Sequence, residues 1–251
     1  MAWPLTFERS KRVLALGVAL AAMLIAQQFE IASVKPADPS ARPGRMGAAI
    51  NTPPGRLSTP ASTVKELLAA AYGVETYQVT GVPSWTESAR FAIEGKSAGA
   101  ANREQLLQML RPLLADRFKL TFHRETRLLA VYALMVAKGG PKFHAAAASA
   151  GPTKLNLLGH NVDMAWFAKY LTRFGADKPV IDKTGLTGKY DLDLDMAKIS
   201  EAAGTMDRSP TISDMFEATA NALPSLGLNL VSSKQPVEML VIDHVERPSA
   251  N

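Results

Sequence analysis

Apolar and polar residues alternate along this chain with two periods, about 3.6 and 2, and the switches between them mark the elements. Phe29 to Lys35 (FEIASVK) reads as a strand, and Ala37 to Pro60, rich in Pro, Gly, Ser, Arg and Ala, as an extended loop. From Ser62 to Gly73, Val64, Leu67, Leu68 and Ala71 fall at helical spacing. A Ser/Thr start, Glu66 three positions after Thr63 and the terminal Gly73 define both helix ends. YQVTGV and ARFAIEGK alternate as strands around Pro83, Ser84 and Trp85. A second helix opens at Asn102 (NREQLLQMLRPLLADRF), with Pro112 kinking or restarting it. FKLTFHRE and AVYALMVAK then read as two strands joined by a short turn.

The order recurs beyond an Ala-rich stretch beginning at His144. Met164 to Gly175 is a helix. KPVIDKTGLTGKYDLDLDM supplies a strand, a turn at Gly185 and Gly188, and an alternating strand through Tyr190, Leu192, Leu194 and Met196. After a polar loop, ISDMFEATANALPSLG is a helix and LNLVSSKQPVEMLVIDHVERP a closing strand pair. Phe118 and Leu120 take the places of Leu228 and Leu230, so the pattern implies internal duplication. The expected fold class is α+β: two similar lobes of helix-strand-strand repeats, with antiparallel sheets and helices on one face. The expected boundaries are 27–143 and 155–251, with a linker at 144–154.

Residues 1–26 read differently. Arg9, Lys11 and Arg12 precede an apolar run from Val13 to Ala26, too short to span a bilayer comfortably. A basic start, a short apolar stretch and small residues at its end describe a secretory signal, cleaved after Ala26 or Ala21. The expected location is secreted or periplasmic, with no stable membrane span after cleavage. Without this segment the formal charge falls from +5 to +3. No Lys/Arg run exceeds two residues and no aromatic ladder interleaves them, so the sequence gives nucleic-acid binding no support. Of the 251 residues 47% are hydrophobic and 20% charged, as in ordinary globular chains, which excludes wholesale disorder. The absence of cysteine excludes disulfides, thiolate metal sites and a cysteine nucleophile.

Several residues are candidates for chemistry. Gly95-Lys96-Ser97-Ala98-Gly99 spells the G-x-S-x-G of a hydrolase elbow, making Ser97 a candidate nucleophile with His160 or His244 as its base. Against it, FAIE alternates and the helix starts only near Asn102, which suits a plain Gly/Ser loop. Asp191, Asp193 and Asp195 alternate with apolar residues, so on a strand their carboxylates share one face, a set suited to a hard cation such as Ca²⁺. The competing reading is a solvated acidic strand face. The four histidines, His123, His144, His160 and His244, form no zinc-binding spacing; a Zn²⁺ site would have to assemble from His and Asp in three dimensions. Asp182 to Gly188 reads as a turn in which Asp182 or Thr184 bonds neighbouring amides. Trp166 lies on the apolar face of its helix and is expected in the core. Arg56 and Trp85, in loops, are the candidate ligand-binding residues.

The runs LLADRFKLTFHRETRLLAVYALMVAKGGPK, VIDKTGLTGKYDLDLD and QPVEMLVIDHVERPSAN, with FEIASVKP and GVPSWTESARFAIEGK, closely resemble an uncharacterised family of secreted proteins of acidobacteria and other soil bacteria. Asp193 and Asp195 depart from it, where such proteins usually carry less acidic strand residues. The family is known mainly as a domain of unknown function, at times attached to antirepressor-type sensor peptidases; a link to quorum-quenching lactone hydrolysis comes with it. Each half also resembles, in topology, the short N-terminal domain of secretins and TonB-dependent receptors, which implies recognition in the envelope. Two functions are therefore expected. The first is a recognition module binding an envelope protein or a small-molecule ligand through sheet edges and the loops around Arg56 and Trp85. The alternative is a hydrolase opening a lactone such as an acyl-homoserine lactone, with a divalent cation and with Asp191, Asp193, Asp195, His160 and His244 as candidates.

Overall fold

The computed structural model describes residues 28–41, 49–146, 161–192, 194, 196–204 and 211–248. Along the chain the strands and helices are β1 (Ile31–Pro36), β2 (Arg56–Thr63), α1 (Val64–Tyr72), β3 (Val79–Thr80), α2 (Trp85–Ser88), β4 (Arg90–Lys96), α3 (Arg103–Arg117) and β5 (Thr121–Val136). They continue with β6 (His144–Ala145), β7 (Val162–Asp163), α4 (Met164–Arg173), β8 (Val180–Asp182), β9 (Lys189–Asp191), α5 (Met196–Ala203), α6 (Ile212–Ala222) and β10 (Leu228–His244). The fold is α+β, as expected.

The chain divides into two compact units, one of Met1–Glu125 with Glu238–Asn251 and one of Thr126–Val237. This differs from boundaries at 143 and 155. The division falls inside both long strands, and the end of β10 belongs to the first unit, where Leu240 and Val241 pair in parallel with Val79 and Thr80.

In the first unit β4 lies between β1 and β2 in an antiparallel sheet. β2 occupies the end of the stretch read as a loop. Its register shifts between Thr59 and Ser62, so Pro60 sits at an irregularity where its missing N–H breaks no regular ladder. Helix α1 has the expected box: Thr63 accepts from the Glu66 amide at 3.2 Å and the Glu66 carboxylate accepts from the Thr63 amide at 2.9 Å. Gly73 ends it in the left-handed conformation. Asn102 and Gln105 cap α3 in the same way, and the helix runs through Pro112 without restarting. Leu106, Met109, Leu110 and Leu114 face inward from α3 onto Leu67, Leu68, Ile93 and Phe118 in one core. Phe91 meets Phe118 edge-on at 5.2 Å.

The second unit has a separate core built on α4, with Met164, Phe167 and Leu171 fully buried against Leu134, Leu223 and Leu228. β8 pairs in parallel with β5 through Tyr132, Ala133 and Leu134, and β9 takes β6 on one side and β7 on the other. His144 and Ala145, the start of the expected linker, are thus strand; the linker residues from 147 on lie outside the described residues. The strand read from Tyr190 to Met196 stops at Asp191, and Met196 begins α5. In both units a helix leads into a short strand parallel to a long one, α1 to β3 and α4 to β8, which adds two parallel pairings to the antiparallel ladders expected.

β5 and β10 are continuous over 16 and 17 residues, where the sequence suggested two strands and a turn in each. Their polar middles, Thr126 to Leu128 and Val231 to Gln235, lack the one-sided alternation of a half-buried strand because they are largely exposed.

Candidate functional site

A cleft with apolar and polar walls lies wholly in the second unit. It has a volume of about 640 Å³, within the range of small-molecule sites. One wall is α6. Thr211 caps this helix and shares a capping box with Asp214. At 100° per residue, Ser213, Glu217 and Asn221 fall on one face, with Phe216 and Ala220 beside them, and all five line the cleft. The facing wall is the start of β10, Asn229, Leu230 and Val231, and Tyr132 of β5 forms part of the floor.

The segment after α4 closes the remaining side and is held by backbone geometry. Gly175 has φ of +99°, and a Cβ there would come within 2.6 Å of the Ile212 carbonyl oxygen, so the chain passes the start of α6 as only glycine can. The Thr172 hydroxyl oxygen accepts from the Val180 amide at 2.8 Å, and the Pro179 carbonyl accepts from the Tyr132 amide at 2.8 Å. These bonds fix Asp177 and Lys178 beside Tyr132. Lys178 Nζ lies 5.1 Å over the Tyr132 ring and 3.7 Å from the Asp177 carboxylate. Tyr132 and Phe216 are 6.2 Å apart. Among the described residues, Ser213, Glu217, Asn221 and Asn229 have side chains with no hydrogen-bond or ion-pair partner. The cleft therefore offers apolar surface, three uncommitted neutral polar groups and one uncompensated carboxylate.

The sequence-derived candidates lie elsewhere. Ser97 is buried at the end of β4, and its hydroxyl bonds to the Gly55 carbonyl at 3.1 Å and to that of Gly99. It locks a loop, and among the described residues no histidine bonds to it. His244 is exposed at the end of β10, with Nε2 2.8 Å from Glu246; His160 lies outside the described residues. His123 Nδ1 is 2.8 Å from Asp243, which the sequence did not suggest. Asp191 Oδ1 accepts from the Asn161 amide at 2.8 Å, while Asp193 and Asp195 lie outside the described residues. Of the three, Asp191 is the one that lies in β9, as its last residue. Among the described residues no three His, Asp or Glu side chains come together as metal ligands.

Arg56 is exposed at the start of β2. Trp85 begins α2, edge-on to Phe91 at 6.5 Å and with the Arg247 guanidinium 5.0 Å over its ring, so an intramolecular cation already covers that face. Trp166, expected in the core, is 41% exposed and stacks on Tyr170 at 5.5 Å. The Asp182 turn is as read: Oδ1 accepts from the Thr184 amide at 2.9 Å and Gly185 has φ of +72°. Sequence reasoning missed the cleft, although the four-residue spacing of Ser213, Glu217 and Asn221 was its one local signal.

A family model described as "Protein of unknown function (DUF3738)" matches residues 65–245, more than half of the chain and including every residue of the cleft. The chain belongs to the DUF3738 family. That description agrees with the domain of unknown function which the sequence resembled. No curated protein and no solved structure matches the chain. Among the described residues of this DUF3738 protein, no helix is long and apolar enough to cross a membrane.

Proposed function

We propose that the protein is an exported recognition module that holds a small ligand in the cleft between α6 and the start of β10. The observation that carries this is the pairing of Phe216, Leu230 and Val231 with the uncommitted Ser213, Asn221 and Asn229. Apolar area supplies affinity there, and a few polar groups fix orientation. Export is read from the basic start and apolar run of residues 1–26, and with it goes a ligand met in the envelope or outside the cell. Lactone hydrolysis through Ser97 has less behind it, because a hydroxyl buried against two carbonyls is not presented to a substrate.

A two-ended probe tests the reading. 2-Phenylethanol carries a ring for Phe216 and Leu230 and a hydroxyl for the asparagines. It should produce saturable shifts in the amide resonances of Ser213 to Asn221 and Asn229 to Val231. Asn221→Trp, on an exposed position of α6, should abolish them by filling the cleft. Shifts that do not saturate, or that scatter over both units, refute the site.

A further inference from the structure

The charges around the cleft say what kind of ligand it prefers. Two carboxylates line it, Asp177 and Glu217. Asp177 has Lys178 3.7 Å away, and the same ammonium is drawn to the Tyr132 ring, so this side is close to neutral. Glu217 has no such partner among the described residues. It stands on α6 between Ser213 and Asn221, one turn from each, with Phe216 and Ala220 beside it. A ligand that laid an apolar body on Phe216, Leu230 and Val231 would bring its polar end within reach of this carboxylate.

We propose that the cleft prefers a ligand with an apolar or aromatic body and a protonated amine, Glu217 acting as its counter-ion. The inference rests on the cleft being the recognition site and adds the chemical class of what it recognises. A neutral hydroxyl could bond Ser213, Asn221 or Asn229 but would leave the Glu217 charge uncompensated, while a carboxylate would meet two negative side chains and one shared lysine. The preference is modest, because Glu217 is solvent-exposed and water screens an exposed pair. Cation over neutral isostere should amount to roughly 1.5-fold to five-fold in Kd at low salt and shrink as salt is added.

The test uses three probes with the same ring on the full chain: 2-phenylethylamine as the cation, 2-phenylethanol as the neutral form and phenylacetate as the anion. Dissociation constants come from the amide shifts of Ser213 to Asn221 and Asn229 to Val231. The amine should bind most tightly and the acid most weakly. Glu217→Gln, which keeps size and helix propensity, should bring the ratio of amine to alcohol affinity close to one. Equal affinities, or an amine preference that survives Glu217→Gln, overturn the inference and leave the cleft standing as a recognition site. If none of the three perturbs the cleft, the recognition reading fails as well.

Discussion

A close approach of backbone to backbone holds the start of β10 in the second unit. Gly227 follows a 3-10 turn at φ of +72°, its amide bonded back to Leu223 and Pro224. The Gly140 carbonyl lies where a Cβ on Gly227 would go, and Gly227 and Leu226 in turn accept from the amides of Ala137 and Lys142 at 2.9 Å. Three substitutions separate the contributions. Gly139 has an ordinary φ and open space, so Gly139→Ala should leave stability unchanged or raise it by about 0.4–1 kcal/mol through the unfolded chain. Gly140 has φ of +76° with open space, so Gly140→Ala should cost about 1–2 kcal/mol from backbone conformation alone. Gly227→Ala carries that cost and a further 1–3 kcal/mol, roughly, for the overlap, because the carbonyl must move against its own bonded segment. With a urea slope of about 2 kcal/mol per molar, the midpoint should fall by about 0.5–1 M for Gly140→Ala and about 1–2.5 M for Gly227→Ala. Urea unfolding followed by circular dichroism reads both. Equal losses for the two would show that conformation carries the whole effect and that the carbonyl does not approach Gly227 as described.

Other consequences can be checked alongside. Thr63→Ala removes the reciprocal cap of α1 and should cost about 0.5–2 kcal/mol in the same urea assay, with Thr63→Ser retaining most of it. Phe167→Ala, at a fully buried position of the second core, should cost about 3–5 kcal/mol. Burial pushes the phenols of Tyr72, Tyr77 and Tyr170 above their ordinary value, Arg111 and Arg124 partly offsetting this at Tyr72. A raised pKa means the fold favours the protonated phenol; its contribution is complete below the unfolded value near 10 and is lost as pH rises through the folded one. Tyrosinate absorbance should therefore rise later in the native than in the urea-unfolded chain, and coincident titrations would contradict the burial. Ser97→Ala should lower stability in urea by about 0.5–1.5 kcal/mol, because the hydroxyl donor is lost while the Gly55 carbonyl keeps the residue 97 amide at 3.0 Å, and probe binding at the cleft stays unchanged; loss of binding with stability intact would reverse the role assigned to Ser97.

Local pattern alone determined the parts of this protein that depend on neighbours in sequence. Thr63 with Glu66, and the glycines at 73 and 185, act over a few residues, so helix ends and turns were legible before any packing was known. The α+β class followed from the same periodicities. Where long-range partners decide the outcome, the pattern was silent or misleading. Thr59 to Ser62 becomes strand because β4 lies beside it, and the exposed middles of β5 and β10 stay extended although no alternation marks them. Alternation after Tyr190 suggested a strand through to Met196, but among the described residues β9 ends at Asp191 and Met196 begins α5. The cleft was hidden for the same reason. Its walls come from four places, Tyr132, Gly175 to Asp177, Ser213 to Pro224 and Asn229 to Val231, and only tertiary packing brings them to one hollow while it buries Ser97 and covers Trp85. Residue type fixes what a side chain can do; its neighbours in space, which one-dimensional spacing does not encode, fix whether it is free to do it.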